Sequence, residues 1–239
     1  MLRPNEVRHR LAAGEEAYGL FSTLPEPNMV EMIGCAGYDF VILDTEHTLV
    51  DPQRLENLIR AAETTGLTPF VRVPEADPGA VLRALDAGAM GIVVPHVRER
   101  TDIDATIRAA RYAPEGMRSL NGGRGPGFGL IDPADYLRRA NEEIMIVALI
   151  EDAEGVEAID DILSPGGVDL VLRAPAISPS PTGCPGRSAT PASGKRSGAS
   201  APPAPATRCP SAPCPPRRSA ASSGAPTASG PSSWARTAI

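Results

Sequence analysis

From Arg173 to Ile239 the chain contains no Asp, Glu, Leu or Val, although all 29 acidic residues of the protein stand before that point. This second stretch is built from Ala, Pro, Ser, Gly, Arg and Thr, with Ile177, Trp234 and Ile239 as its large apolar residues. Such a segment cannot bury enough apolar surface to offset the entropy of ordering it. Folding is therefore expected of residues 1–172, with 173–239 as a disordered tail. Charge divides at the same place. Fifteen arginines against 29 acids leave −14 on the body, while eight basic residues give the tail +8, so the overall −6 averages two unlike pieces.

A shifted reading frame accounts for the break. When the third base of each codon is read with the first two of the next, 173–186 permits Gly-Pro-Gly-Asp-Leu-Ser, two small or apolar residues, then Tyr-Gly-Leu-Pro-Gly. Near the end, Trp234-Ala235 must spell Gly in that frame, and its neighbours permit Gly-Phe-Arg, an apolar run, then Val-Gly-Thr-Asp. Two coherent motifs in one frame point to an indel near codon 172, in the gene or in its determined sequence. The Arg-over-Lys bias, with Lys195 the single lysine, fits a GC-rich gene whose shifted frame yields Ala, Pro, Arg and Ser.

The amino end lacks the long apolar core of a signal peptide, and no apolar run approaches the roughly 18 residues of a membrane span. A cytoplasmic protein without membrane contact is expected. Cys35 stands alone in the body and reads as a small buried thiol, while Cys184, Cys209 and Cys214 match no zinc spacing. A body charge of −14 without a basic, aromatic-interleaved surface argues against nucleic acid.

Short apolar runs alternate with amphipathic stretches along the body. Strands are expected at 17–22, 40–44, 69–73, 91–95, 144–150 and 168–172, with a weaker one near Met117. Helices are expected at 27–36, 52–65, 78–87, 101–112, 133–141 and 153–163. Asp51-Pro52, Asp77-Pro78 and Asp132-Pro133 are helix-start pairs, a capping carboxylate followed by a residue that needs no N–H partner. Strand and helix in strict alternation imply a parallel sheet with crossover helices.

Two architectures satisfy that alternation. A Rossmann sheet needs a glycine fingerprint after its first strand, and Phe21-Ser22-Thr23-Leu24-Pro25 is not one. A (β/α)8 TIM barrel places chemistry at strand carboxyl ends. Asp44-Thr45-Glu46-His47, Arg72, Pro95-His96 and Glu151-Asp152 stand at such ends. The α/β class with an incomplete barrel, ending after a seventh strand, is the expected fold. The glycine run from Gly122 to Gly129 lacks the Gly-Lys-Ser/Thr ending of a phosphate loop and is expected to be a flexible active-site loop. His96 and His9 have no comparable context.

The blocks DTEH (44–47), VRVP (71–74), LDAGAMGIVVP (85–95) and RYAPEGMR (111–118), in series over about residues 15–172, resemble the HpcH/HpaI aldolases, the metal-dependent class II pyruvate aldolases. The motifs recovered from the shifted frame match what that family carries next, a Gly-Pro-x-Asp-Leu-Ser block and a Gly-Thr-Asp block. An aldolase stabilises a carbanion beside a carbonyl through a lysine Schiff base or a metal-bound enolate, and the body has no lysine. The resemblance thus implies cleavage of 4-hydroxy-2-oxo acids to pyruvate and an aldehyde, with a divalent cation, Mg²⁺ or Mn²⁺, as cofactor.

By the same resemblance His47 is the catalytic base, oriented by Asp44 and made more basic by Asp86. Arg72 binds substrate oxygen and steadies the enolate, and Glu46 supports the loop. Leu149 stands where the family usually has a substrate-contacting Gln, and Ala176 falls at another substrate-binding position. Glu151 is the metal-binding Glu. The second carboxylate ligand is missing, because Ile177 occupies its position. Arg118 is implied to be loop architecture. Homo-oligomers are the family's pattern. An acyl-CoA lyase of the citrate lyase β type is the alternative activity. A barrel remnant whose basic, proline-rich tail binds acidic or SH3-like partners is the non-enzymatic alternative.

Overall fold

The computed structural model describes residues 2–173, so the expectations that fall on 174–239, including Ala176 and Ile177, lie outside the described residues. Six strands, β1 (Gly19–Ser22), β2 (Phe40–Asp44), β3 (Thr68–Arg72), β4 (Gly91–Val94), β5 (Met145–Ile150) and β6 (Leu170–Arg173), form one sheet in sequential order. Every neighbouring pair is parallel. The helices α1 (Glu6–Ala12), α2 (Pro27–Cys35), α3 (Pro52–Thr64), α4 (Pro78–Ala87), α5 (Thr101–Ala110), α6 (Pro133–Glu143), α7 (Ala153–Glu157) and α8 (Ile159–Leu163) complete the element list. Sequential parallel strands with crossover helices are the construction of a TIM barrel, carried here through six strands. The segment around Met117 is not a strand, and β4 pairs directly with β5, which lowers the count from the expected seven to six among the described residues.

Side-chain parity divides the core into two layers. Val41, Leu43, Val71, Ile92, Val94, Ile146, Ala148 and Ile150 pack outward with the helices. Phe40, Ile42, Phe70, Val93, Met145, Val147, Leu149, Leu170 and Leu172 form the inner cluster. Large and small residues alternate across this interior. Gly19 is in register with Phe40, and Gly91 with Phe70. A β-carbon added at those glycines would stand 2.3 Å and 2.6 Å from the facing phenylalanine rings, whose centroids are 5.4 Å apart. The glycines thus make room for the Phe40–Phe70 pair.

Helix starts follow the Asp-Pro pairs. Asp51, Asp77 and Asp132 accept hydrogen bonds from the backbone N–H groups of Arg54, Ala80 and Asp135 at 2.9, 2.7 and 3.1 Å. The helical stretch expected at 153–163 divides into α7 and α8. Helix α1, absent from the expected list, is capped by the fully buried Asn5, which also donates to Met90 O and Glu143 O. Its Val7 joins the inner cluster.

Two expectations are corrected. Cys35 is exposed at the end of α2, on the helix face turned from the sheet. The glycine run is not part of the mouth formed by the strand carboxyl ends. Arg124 pairs with Glu63 in the last turn of α3 and donates to Ala87 O at the end of α4, while Leu2 N–H donates to Gly125 O. Those helix ends lie at the amino face, because crossover helices run antiparallel to the strands.

Candidate active site at the strand carboxyl ends

Strand parity brings the site together. Asp44 and Arg72 end β2 and β3 in register, on the same parity as the inward-facing Ile42 and Phe70. Arg72 Nε and Nη2 donate to Asp44 Oδ1 and Oδ2 at 3.0 and 2.7 Å, a bidentate pair in which both residues are buried. The guanidinium also lies 5.0 Å from the Phe21 ring centroid on β1, so its plane is held from two directions. Burial opposes ionisation of Asp44, but the Arg72 hydrogen bonds, the Glu46 and His47 backbone N–H groups and the Arg72 charge outweigh it and hold its carboxyl below the usual range. For Arg72, burial works against the charge, and the Asp44 hydrogen bonds with the charges of Asp44, Glu46 and Glu151 raise its pKa further.

Beyond this pair, Glu46 Oε2 lies 3.1 Å from Arg72 Nη1, yet that buried oxygen has no aligned hydrogen-bond donor. The contact is an ion pair without an aligned hydrogen bond. Glu46 Oε1 meets His96 Nε2 at 3.0 Å, and His96 Nδ1 meets Glu151 Oε2 at 2.9 Å. Arg72, Glu46, His96 and Glu151 therefore form a continuous polar chain from β3 to β5. His96 was given no role from sequence. The one signal available was its place directly after Pro95, at the end of a strand.

His47, the expected base, stands at this rim with neighbours other than those expected. The side chain of His47 is two-thirds exposed, and its Nε2 is 3.8 Å from Glu46 Oε1. Asp44 accepts from the His47 backbone N–H at 3.3 Å, and its carboxylate is otherwise engaged by Arg72 and the Glu46 N–H, so it anchors the loop instead of orienting the ring. Asp86 does not reach His47 within this chain. It lies in the last turn of α4, toward the amino face, and pairs with Arg118 at 3.0 Å and with Asn121. Arg118 is buried, with its guanidinium 4.7 Å from the Tyr112 ring centroid, which makes it part of the loop framework. Leu149 points into the inner apolar cluster and offers no polar contact.

The fit to a divalent cation fails on the donor set. Such an ion needs several hard oxygen donors. Glu151 supplies one carboxylate, already engaged by His96, and the chain has an aliphatic side chain at position 177. Among the described residues no three His, Cys, Asp or Glu side chains converge to hold a metal. The described residues do not form a cation cage. No helix among the described residues is long and apolar enough to cross a membrane.

Known proteins share both sequence and architecture with this chain. The 5-keto-4-deoxy-D-glucarate aldolase of Shigella boydii is 33% identical over 174 residues, covering 72% of this chain and 67% of that protein. The proteins of that name from Escherichia coli show the same identity and coverage. Among solved structures, an HpcH/HpaI aldolase from Desulfitobacterium hafniense DCB-2 superposes with a TM-score of 0.68 at 34% identity, covering 71% of this chain and 66% of its own. The citrate synthase SbnG gives 0.64 at 42% identity, covering 70% of this chain and 64% of its own. The chain thus spans about two thirds of the length of the proteins it matches. Residues 17–176 match a family described as HpcH/HpaI aldolase/citrate lyase, and the chain belongs to that family of carbon–carbon lyases.

Proposed function

We propose that this fold serves the cleavage of 4-hydroxy-2-oxo acids to pyruvate and an aldehyde, and that the chain as written has lost most of that activity. The observation that carries the reading is Arg72, clamped by Asp44 at the strand carboxyl ends, with its Nη1 3.1 Å from Glu46 Oε2. In the cleavage direction, His47 takes the proton of the 4-hydroxyl and the C3–C4 bond breaks. The bonding pair passes into the enolate of pyruvate, and a proton returned to C3 completes the product. Negative charge grows on the C2 oxygen as the bond breaks, and a fixed guanidinium facing that oxygen stabilises it more in the transition state than in the substrate. The exposure of His47 suits a base that exchanges protons with solvent between turnovers.

Arg72 is the one counter-charge that the described residues offer to the enolate oxygen. In this reading the frame break removed the second carboxylate ligand, and with it the cation that family members use, Mg²⁺ or Mn²⁺, so the chain retains the scaffold with weak turnover. The relatives named as an aldolase of a keto-deoxy sugar acid and as a citrate synthase support chemistry at the carbon next to a carbonyl. They do not choose the aldehyde.

The test compares the chain as written with a chain whose frame is restored after codon 172, following pyruvate release by coupled reduction to lactate. With Mn²⁺ present, the restored chain is expected to release pyruvate from a 4-hydroxy-2-oxo acid at least about a hundredfold faster, the scale of losing a metal ligand and its ordered site. Chelator should abolish the difference. A restored chain without metal-dependent release of pyruvate would overturn the reading, and cleavage of malyl or citramalyl thioesters alone would replace it with acyl-CoA lyase activity.

A further inference from the structure

The carbonyl of Arg72 accepts two hydrogen bonds from one residue. Thr45 donates to it through its backbone N–H at 3.1 Å and through its Oγ1 hydroxyl at 2.6 Å. The first bond carries the β2–β3 pairing past Asp44 and Arg72, the last residues in register. The second is a side-chain addition that a parallel ladder does not require. With the Asp44 pair on its guanidinium, Arg72 is fixed at both its backbone and its tip.

Thr45 also opens the segment that carries His47. The N–H groups of Glu46 and His47 turn back onto Asp44 Oδ1 at 3.0 and 3.3 Å, and beyond them the support thins. Thr48 Oγ1 reaches Thr23 O only at 3.5 Å, Leu49 is fully exposed, and the next firm anchor is Asp51, which caps α3. Beneath lies a cavity of about 290 Å³, lined by Thr45 and Val50 from the segment, Val71 from β3, Leu55 from α3 and Ala84 from α4. A segment that lies over a cavity is held more by its hydrogen bonds than by packing, so its place depends on its first residue.

We propose that Thr45 is a positioning residue, whose hydroxyl sets the spacing between the base at His47 and the guanidinium of Arg72. The proposal rests on the reading of the mouth as a 2-oxo acid site served by those two side chains. The base meets the 4-hydroxyl and the guanidinium meets the C2 oxygen of one substrate. An error in their spacing therefore cannot be absorbed by moving the substrate, and it is felt most where both contacts are needed together, in the transition state.

The test compares the full chain with Thr45→Val, which removes the hydroxyl and keeps the branched shape, and Thr45→Ser, which keeps the hydroxyl. NMR follows two signals, the ring Cε1–H of His47, identified by its loss in His47→Gln, and the Nε–H of Arg72 that Asp44 holds. In Thr45→Val the His47 signal is expected to shift, and the Arg72 Nε–H to exchange about fivefold faster, the scale of one lost hydrogen bond. Thr45→Ser should restore both. In pyruvate release from a 4-hydroxy-2-oxo acid, Thr45→Val should lower kcat about tenfold with little change in KM, and Ser should recover most of it. A residue that merely supported the fold would lower the urea midpoint and leave both native-state signals and the ratio of kcat to KM unmoved. His47 and Arg72 signals in Thr45→Val equal to those of the parent, or a Ser variant no better than Val, would overturn the proposal. If the parent releases no pyruvate, the 2-oxo acid reading itself fails. The two NMR signals then decide by themselves whether the hydroxyl couples the His47 segment to Arg72.

Discussion

Arg72 and Asp44 are the most tightly determined residues of the mouth, and their stability contribution has a sign in pH. The folded pKa of Asp44 lies below its reference value of 3.8. The pair's contribution is therefore complete above about pH 4, the unfolded range, and is lost as pH falls through the lower folded value. Asp44→Asn never has that contribution. It is expected to destabilise by about 3 kcal/mol at pH 7, the scale of breaking a buried ion pair. Urea denaturation of parent and variant should show that gap at pH 7 and show it narrowing as pH falls below about 4; a gap that stayed constant into acid would contradict the ionic account.

At this scale sequence was informative where chemistry coincides with strand ends. Asp44, Arg72 and Glu151 could be placed at one rim because each closes an apolar run. Asp86 could not, because its position depends on the direction in which α4 runs. His96 was missed because its two partners, Glu46 and Glu151, are distant in sequence.

The elements were more legible than the loops between them. β2 was expected at its observed bounds, and the other five strands within two residues of theirs, since five- and six-residue apolar runs between helix-start pairs leave little freedom. The Asp-Pro starts are a local matter of capping, so they transfer directly from sequence to structure. Asp77→Ala should cost α4 about 1 kcal/mol, read as a lower urea midpoint, because the Ala80 N–H loses its carboxylate partner. The glycine at position 91 is a matter of packing. Gly91→Ala should cost about 2 kcal/mol through collision with Phe70, and adding Phe70→Leu should return part of it. A fully additive double variant would show that the ring contact is not the cause. The loop at 121–131 misled because glycine content signals backbone freedom without saying at which end of a barrel the loop lies. Its arginine, held by α3 and α4, supplies that information only in three dimensions.

For the whole molecule, six strands of an eight-stranded construction leave β1 and β6 each paired on one side only among the described residues. Unpaired parallel edges and a partly built wall favour association with other chains. The chain as written is expected to show an apparent molar mass by light scattering that rises with concentration, whereas a frame-restored chain should hold one discrete mass. A constant apparent mass for both would argue that the body closes by itself.

The fold class, the sheet order and the family can all be traced to residues before 173. The residues after it carry no periodic pattern of their own, and the proposal for them rests on the genetic code alone. On the proposed reading, the loss of a metal ligand, weak turnover and association would all follow from one break in the reading frame. Resequencing codons 165 to the stop from an independent template tests that break most directly. A one-base difference that turns 174–179 into Gly-Pro-x-Asp-Leu-Ser is expected, and it would return the missing carboxylate. An unchanged sequence would contradict it, leaving residues 174–239 as a genuine basic tail.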